Sequence, residues 1–251
     1  MIDALAFDMG PGGFAFLALV ILAASFVRGY SGFGFSAVLV AGLTLVLPPA
    51  EVVPLSIGLE VVASVGQARG IWADIDRRKL TVLLIAGLIG NPLGIWLLAA
   101  VPGETLRLAL LSFIALASIA LIVMPKARAD LSLALLAAGG FAAGVVNGAT
   151  ALSGMVLALV FTFAGIRPAV MRATMIAYFF VTDIWAGGVM TATGLFNETT
   201  VLRIIAALPL LAIGVWLGSR HFLATPPATF RALVLWLLIS LSAFGLARSL
   251  L

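Results

Sequence analysis

The chain has no cysteine, one histidine, and charge on only 10% of its 251 residues. Without cysteine there is no thiolate nucleophile, no disulfide and no iron–sulfur ligation. His221 alone leaves haem and zinc centres short of ligands, and no His–carboxylate cluster stands elsewhere to hold a metal. No Walker A loop is present, and Gly32-Phe33-Gly34 lacks the strand context of a dinucleotide fingerprint. The reading is therefore not an enzyme, with no metal and no cofactor. No soluble basic patch exists to bind nucleic acid. The opening Met1–Ala6 has neither a positive n-region nor a small-residue cleavage site, so no removable signal peptide is expected.

The shortage of charge is the most informative absence. A soluble domain carries about a quarter charged residues, whereas this chain is 63% hydrophobic, which makes lipid its solvent. Runs such as Leu80–Val101 do not alternate apolar and polar residues, which excludes a porin-type barrel. Ten apolar segments follow one another, at about 13–28, 31–47, 50–71, 80–101, 105–124, 131–147, 150–165, 168–194, 199–220 and 228–250. Crossing the hydrocarbon core takes roughly 20 residues. The first, second, sixth and seventh segments fall short or only just reach that length. Small polar residues split each short pair, at Arg28–Gly34 and at Asn147–Thr150, as a broken helix or re-entrant tip would require.

The pattern occurs twice. An offset of 119 lays Gly29 on Gly148, Ser31 on Thr150 and Pro49-Ala50 on Pro168-Ala169. An offset of 120 lays Gly94-Ile95-Trp96 on Gly214-Val215-Trp216, and 124 lays Thr105-Leu106-Arg107 on Thr229-Phe230-Arg231. The expected fold is an all-α polytopic membrane protein of two repeats, residues 1–128 and 129–251. Each holds a short broken-helix pair and three transmembrane helices. The number of crossings per repeat is odd whether the pair crosses or re-enters, so the second repeat is inverted, a recurrent transporter design. With both termini outside, Arg28, Arg69, Arg77, Arg78, Lys79, Lys126, Arg128, Arg167, Arg172, Arg220 and Arg231 lie toward the cytoplasm, and Arg107, Arg203 and Arg248 lie opposite. That asymmetry satisfies the positive-inside rule for a multi-pass protein of the bacterial inner membrane.

A helix that starts within the membrane offers free N–H groups and a positive dipole end, an anion site built without side-chain charge. Ser31 and Thr150 stand where such half-helices are expected to start, as N-caps or ligand hydroxyls. Gly29, Gly32, Gly34 and Gly148 allow close approach, and Asn147 adds an amide. Arg28 either binds a carboxylate or sulfur oxyanion beside the glycine-rich tip or snorkels to the cytoplasmic face. Arg172 faces the same choice. Asn91-Pro92 lines a cavity or marks a packed kink. Glu60 and Asp183 are intramembrane acids, costing roughly 2.5–3.5 kcal/mol each at a helix centre. They carry a coupling proton or sodium ion, or pair structurally with an arginine. Gly66/Gly70, Gly90/Gly94, Gly140/Gly144/Gly148 and Gly214/Gly218 read as helix contact faces.

Gly29-Tyr30-Ser31-Gly32-Phe33-Gly34-Phe35-Ser36 resembles the opening motif of the sulfite exporter TauE/SafE family, also called the toluene sulfonate uptake permease family. Asn147-Gly148-Ala149-Thr150-Ala151-Leu152-Ser153-Gly154, followed by Gly165-Ile166-Arg167-Pro168 and Arg172-Ala173-Thr174, resembles its counterpart. The likeness covers essentially the whole chain. It implies a transporter, in many members an exporter, of a small sulfur-containing anion such as sulfite or an organosulfonate (sulfoacetate). It adds Ser153 to the candidate substrate-binding residues. Family members usually carry a glycine run where this chain reads Ala151-Leu152-Ser153-Gly154, which implies a less open pocket on that side. An anion channel and a non-transporting membrane partner are the competing readings. An inside-negative membrane favours anion export without a coupling ion, by roughly 2.3 kcal/mol per charge per 100 mV.

Overall fold

The computed structural model describes residues 11–68, 71–124, 131–222 and 227–250. The Met1–Ala6 segment, Arg69, Lys126, Arg128 and the side chains of His221 and Arg231 lie outside the described residues. Among those described there are ten α-helices and no strand. They are α1 (Pro11–Ser31), α2 (Phe35–Leu43), α3 (Pro49–Gln67), α4 (Arg77–Ala100), α5 (Gly103–Val123), α6 (Leu133–Thr150), α7 (Ser153–Phe163), α8 (Pro168–Ala192), α9 (Glu198–Phe222) and α10 (Pro227–Leu250). Eight are long and apolar enough to cross a membrane, all but α2 and α7.

Local chemistry sets several of the boundaries. Proline opens α3 and α8, where its missing N–H and fixed φ suit the first turn. Asp76 caps α4 by accepting from the Lys79 N–H at 3.1 Å, and Ser132 caps α6 by accepting from the Leu135 N–H at 3.2 Å.

The first and sixth segments are longer than expected. α1 has 21 residues and α6 has 18, because each helix runs on through the polar stretch read as its break. Ser31 and Thr150 are therefore the last residues of their helices, not the N-caps of the next. Each hydroxyl donates back to the carbonyl four residues earlier, Val27 and Val146, both at 2.7 Å. The breaks come just afterwards. The first turns on Gly32 and Gly34, at φ 77° and 87°. The second turns on Ala151, which holds φ 60° despite its Cβ. α2 then folds back along α1: a Cβ at Gly34 would lie 3.2 Å from Val27, and one at Gly42 would lie 2.7 Å from Val20.

Glycine sets the closest helix contacts. Along α4 and α6, Leu83 meets Gly140, Gly87 meets Gly144 and Asn91 meets Gly148, so the two helices run parallel. α1 and α9 are parallel as well, with Leu22 on Gly214 and Phe26 on Gly218. The two contacts correspond. Gly90 and Gly94 lie on the carbonyls of Phe141 and Val145, which are 119 positions beyond Leu22 and Phe26. Gly90 and Gly94 thus answer to Gly214 and Gly218, an offset of 124, rather than to the 120 that the Gly-x-Trp match suggested. Gly66 has open space around it and is no contact face.

The remaining packing is reciprocal in the same sense. α3 packs on α8 and α5 on α10, while α4 reaches α8 as α9 reaches α3. Ser64 and Phe179 both touch Arg28, Glu60 and Asp183 border one cavity, and Val53 and Ile57 share an apolar cluster with Ala186 and Met190. That order makes α3 and α8 antiparallel.

Candidate functional site

A narrow cavity lies where the two breaks meet, with about 10 Å³ of room for the centre of a water-sized sphere. The start of α2 supplies Gly34, Ser36 and Ala37; the second break and the start of α7 supply Ala151, Leu152, Ser153, Gly154 and Met155. Asn147 of α6, Glu60 of α3, and Phe179 and Asp183 of α8 complete the wall. Neither half-helix has a side-chain cap, at Gly34 or at Leu152. First-turn residues of both helices line the cavity, which puts their positive dipole ends beside it. These half-helix starts are displaced from Ser31 and Thr150 to the residues that follow the breaks.

Arg28 has no exposed surface, so it does not snorkel. Its Nη1 donates to the Gly32 carbonyl at 2.5 Å and its Nη2 to Ser64 Oγ at 2.8 Å. Its guanidinium lies 5.2 Å from the centre of the Phe179 ring, a cation–π contact. Nη1 also sits 3.3 Å from Glu60 Oε1. Glu60 thus pairs with an arginine, the structural alternative raised for it, while its Oε2 is buried with no hydrogen-bond partner. Arg28 does not itself border the cavity: Glu60 stands at the wall in front of it.

The second half repeats this geometry with different chemistry. Asn147 Nδ2 donates to Asp183 Oδ1 at 2.8 Å, and Ser153 Oγ donates to Asn147 Oδ1 at 2.8 Å. Asn147 and Asp183 are the 119-offset counterparts of Arg28 and Ser64, and each pair is joined by a 2.8 Å bond spanning 36 residues.

The other candidates fall around this centre. Gly29 and Gly148 are packing positions, where a Cβ would meet the backbone of Val215 and of Ile95 respectively. Gly32 forms the hairpin turn, and the half-buried Arg172 side chain lies over it. Arg172 lies against the first break. Asn91 is fully buried in the α4–α6 contact, with neither amide atom hydrogen-bonded, and it does not border the cavity. Sequence reasoning missed Phe179, Gln67, whose Nε2 donates to the Arg28 carbonyl at 3.1 Å, and Ser64 as a partner of Arg28. The 119 offset, applied to Arg28 and to Asp183, held the signal for Ser64.

Paired helix breaks beside a cavity lined by two acids, in an all-helical bundle with eight candidate spans, are features that membrane transport proteins use. A model of the sulfite exporter TauE/SafE family matches residues 17–245. The chain belongs to that family of membrane transporters. No curated protein and no solved structure matches it.

Proposed function

We propose that this protein is a secondary transporter that exports a small sulfur-containing anion, sulfite or an organosulfonate such as sulfoacetate, by alternating access around the cavity between the two breaks. One observation carries the reading: two uncapped half-helix N-termini converge on a single buried cavity, with a fully buried arginine one side chain behind its wall. Tetrahedral oxyanions suit such a site, because backbone N–H groups from two directions match several oxygens at once. Ser153 and Asn147 line the second tip as polar partners for the same ligand.

Residues 1–128 and 129–251 are read as inverted repeats. The antiparallel α3 and α8 and the matching α1–α9 and α6–α4 contacts support this. The left-handed residues Gly32, Gly34 and Ala151 are the flexure points about which each tip moves against its three long helices. Both termini are read as outside the bacterial inner membrane, which, with the buried Arg28 set aside, leaves ten of the other thirteen basic residues on the cytoplasmic side. Glu60 and Asp183 are the candidate coupling groups.

Binding to the folded state raises its stability, by about 2.7 kcal/mol at a hundredfold excess over Kd. Thermal unfolding of the purified protein is to be followed with sulfite, sulfate, thiosulfate, sulfoacetate, acetate and phosphate. The expected result is saturable stabilisation by a sulfur oxyanion or sulfonate, and reconstituted protein should then move that anion. No response to any sulfur anion at millimolar concentration refutes the reading.

A further inference from the structure

We propose that Glu60 holds the place of the transported anion while the cavity is empty, and that one proton moves with each singly charged anion, carried on Glu60. The inference rests on the transporter reading above and names its coupling ion. It starts from the position of the carboxylate. Glu60 Oε1 is 3.3 Å from Arg28 Nη1, its buried Oε2 has no hydrogen-bond partner, and the residue lines the cavity reached by both half-helix N-termini. A carboxylate held by a guanidinium beside two dipole ends is what a bound oxyanion would look like.

Charge counting gives the stoichiometry. Among the described residues that line the cavity, the charged side chains are Glu60 of α3 and Asp183 of α8; Arg28 of α1 lies behind Glu60, and Arg172 of α8 lies over Gly32 without lining the cavity. α2, α6 and α7 contribute no titratable side chain. α9 contributes Arg203, which is paired at 2.8 Å with Glu51 in the first turn of α3, nine residues before Glu60. α4 and α5 carry their charged residues only in their first turns, Arg77 to Lys79 on α4 and Glu104 with Arg107 on α5. The Tyr178 hydroxyl, on α8, is turned to the Gly140 carbonyl at 3.4 Å.

Among the described residues the cavity wall thus holds two acids and no base. An added singly charged anion brings a further negative charge to that site, which is unfavourable unless it is compensated. An anion with a proton adds none. The proton goes to Glu60, because Asp183 Oδ1 is held by the Asn147 amide while Glu60 Oε2 is free. On binding, Glu60 becomes the neutral acid and the anion takes over as counter-charge to Arg28. On release the proton leaves and the ion pair closes again. Transport is then electroneutral, and the outward gradient of the acid, not the membrane potential, drives export.

The test uses the whole protein, with methanesulfonate, whose single charge does not titrate, and with sulfite as probes. Anion affinity of the wild type is measured from about pH 5 to about 8. The protein is also reconstituted with a lumenal pH dye. Affinity should fall about tenfold per pH unit on the alkaline limb, the slope of one linked proton. An inward methanesulfonate gradient should acidify the lumen, and a potential clamped with valinomycin should leave the initial rate unchanged. In Glu60→Gln, binding should become independent of pH and proton movement should stop. Should that variant fail to fold, the wild-type slope and proton flux decide alone. Wild-type binding that is flat with pH, methanesulfonate entry without protons, or a sodium requirement overturns the inference and leaves the transporter reading standing. Binding of neither probe, nor of thiosulfate or sulfoacetate, at any pH sinks both.

Discussion

Replacing Arg28 by methionine keeps most of the side-chain length and removes the charge. Four contacts go with it: the bonds to the Gly32 carbonyl and Ser64 Oγ, the Glu60 ion pair and the stacking on Phe179. Summing four separate energies would overcount, because water and lipid are not the reference for each. The largest cost comes from the carboxylate left behind. Glu60 is 4% exposed, and stranding one member of a buried pair costs about 3–5 kcal/mol. Glu60→Met alone should cost less, about 2–3 kcal/mol, since Arg28 keeps the Gly32 carbonyl, Ser64 and Phe179. The double variant strands neither charge, and buried pairs replaced by apolar residues are often neutral.

The double variant should therefore be no less stable than Arg28→Met, with a coupling of at least about 2–3 kcal/mol between the two positions. The cycle is measured by SDS-driven unfolding in mixed micelles, following tryptophan fluorescence. Additivity within about 0.5 kcal/mol would mean that Arg28 and Glu60 do not share their burial, and both the ion-pair account and the surrogate-anion argument would fall. Arg28→Met should also abolish the stabilisation by sulfur anions at every pH, including in the double variant that folds well.

Gly144→Ala places a methyl 2.7 Å from the Gly87 Cα, so α4 and α6 must separate; the expected cost is about 1–3 kcal/mol, whereas Gly188→Ala, with open space, should be near neutral, and equal melting temperatures for the two variants would refute the packing account. Asn147→Ala strips Asp183 and Ser153 of their shared partner, and anion affinity measured by thermal shift should drop about tenfold, the equivalent of one lost hydrogen bond of about 1.4 kcal/mol; unchanged affinity would remove the second tip from the site. Asp76 lies outside the spans, and its pKa is held below the ordinary carboxylate value: partial burial raises it, but hydrogen bonds from the Lys79 side chain and N–H, and the charge of Lys79, outweigh that. A depressed pKa stabilises the fold above the unfolded value of about 3.9 and loses that stabilisation as pH falls through the folded value. The stability gap between wild type and Asp76→Ala, about 1 kcal/mol at neutral pH, should therefore close below about pH 4, and a gap that widens on acidification would overturn the sign.

Much of the helix layout is legible in the sequence because lipid permits few solutions. Long uncharged runs must be helices, and eight of the ten are long and apolar enough to span. The break positions are less legible for a definite reason. Small polar residues suggest the end of a helix, yet Ser31 and Thr150 satisfy their hydroxyls on the helix's own carbonyls, and the flanking glycines are consumed by contacts with α9 and α4. In lipid a serine or a glycine does not stop a helix unless the backbone itself turns, as it does at Gly32 and Ala151. Ala151 carries no such signal in its side chain, so the sequence pattern misplaces that break by a few residues. The 120 offset fails similarly: matching letters put tryptophans together, while the close contacts that shape the bundle follow glycine and require 124.

The site is half legible, and the missing half is a question of pairing. Arg28, Glu60, Asn147 and Asp183 all stand out as intramembrane polar residues, but one sequence shows no partners. The structure joins Arg28 to Ser64 and Asn147 to Asp183 at equivalent positions. Two halves built alike would give two equivalent faces to a ligand. Here one face carries a cation whose own acid blocks it, and the other a neutral amide holding an acid. An anion centred between them gains charge compensation from the first half only. Under the proposed alternating access, the energy difference between the two access states would depend on whether the first tip is paired with Glu60 or with the ligand, and the empty protein would have a preferred resting state. The asymmetry resides in the exchange of Arg28 for Asn147 and of Ser64 for Asp183 within a shared backbone geometry. Swapping the chemistry of the tips, rather than altering the helices, is the substitution expected to change which face of the membrane the empty protein favours.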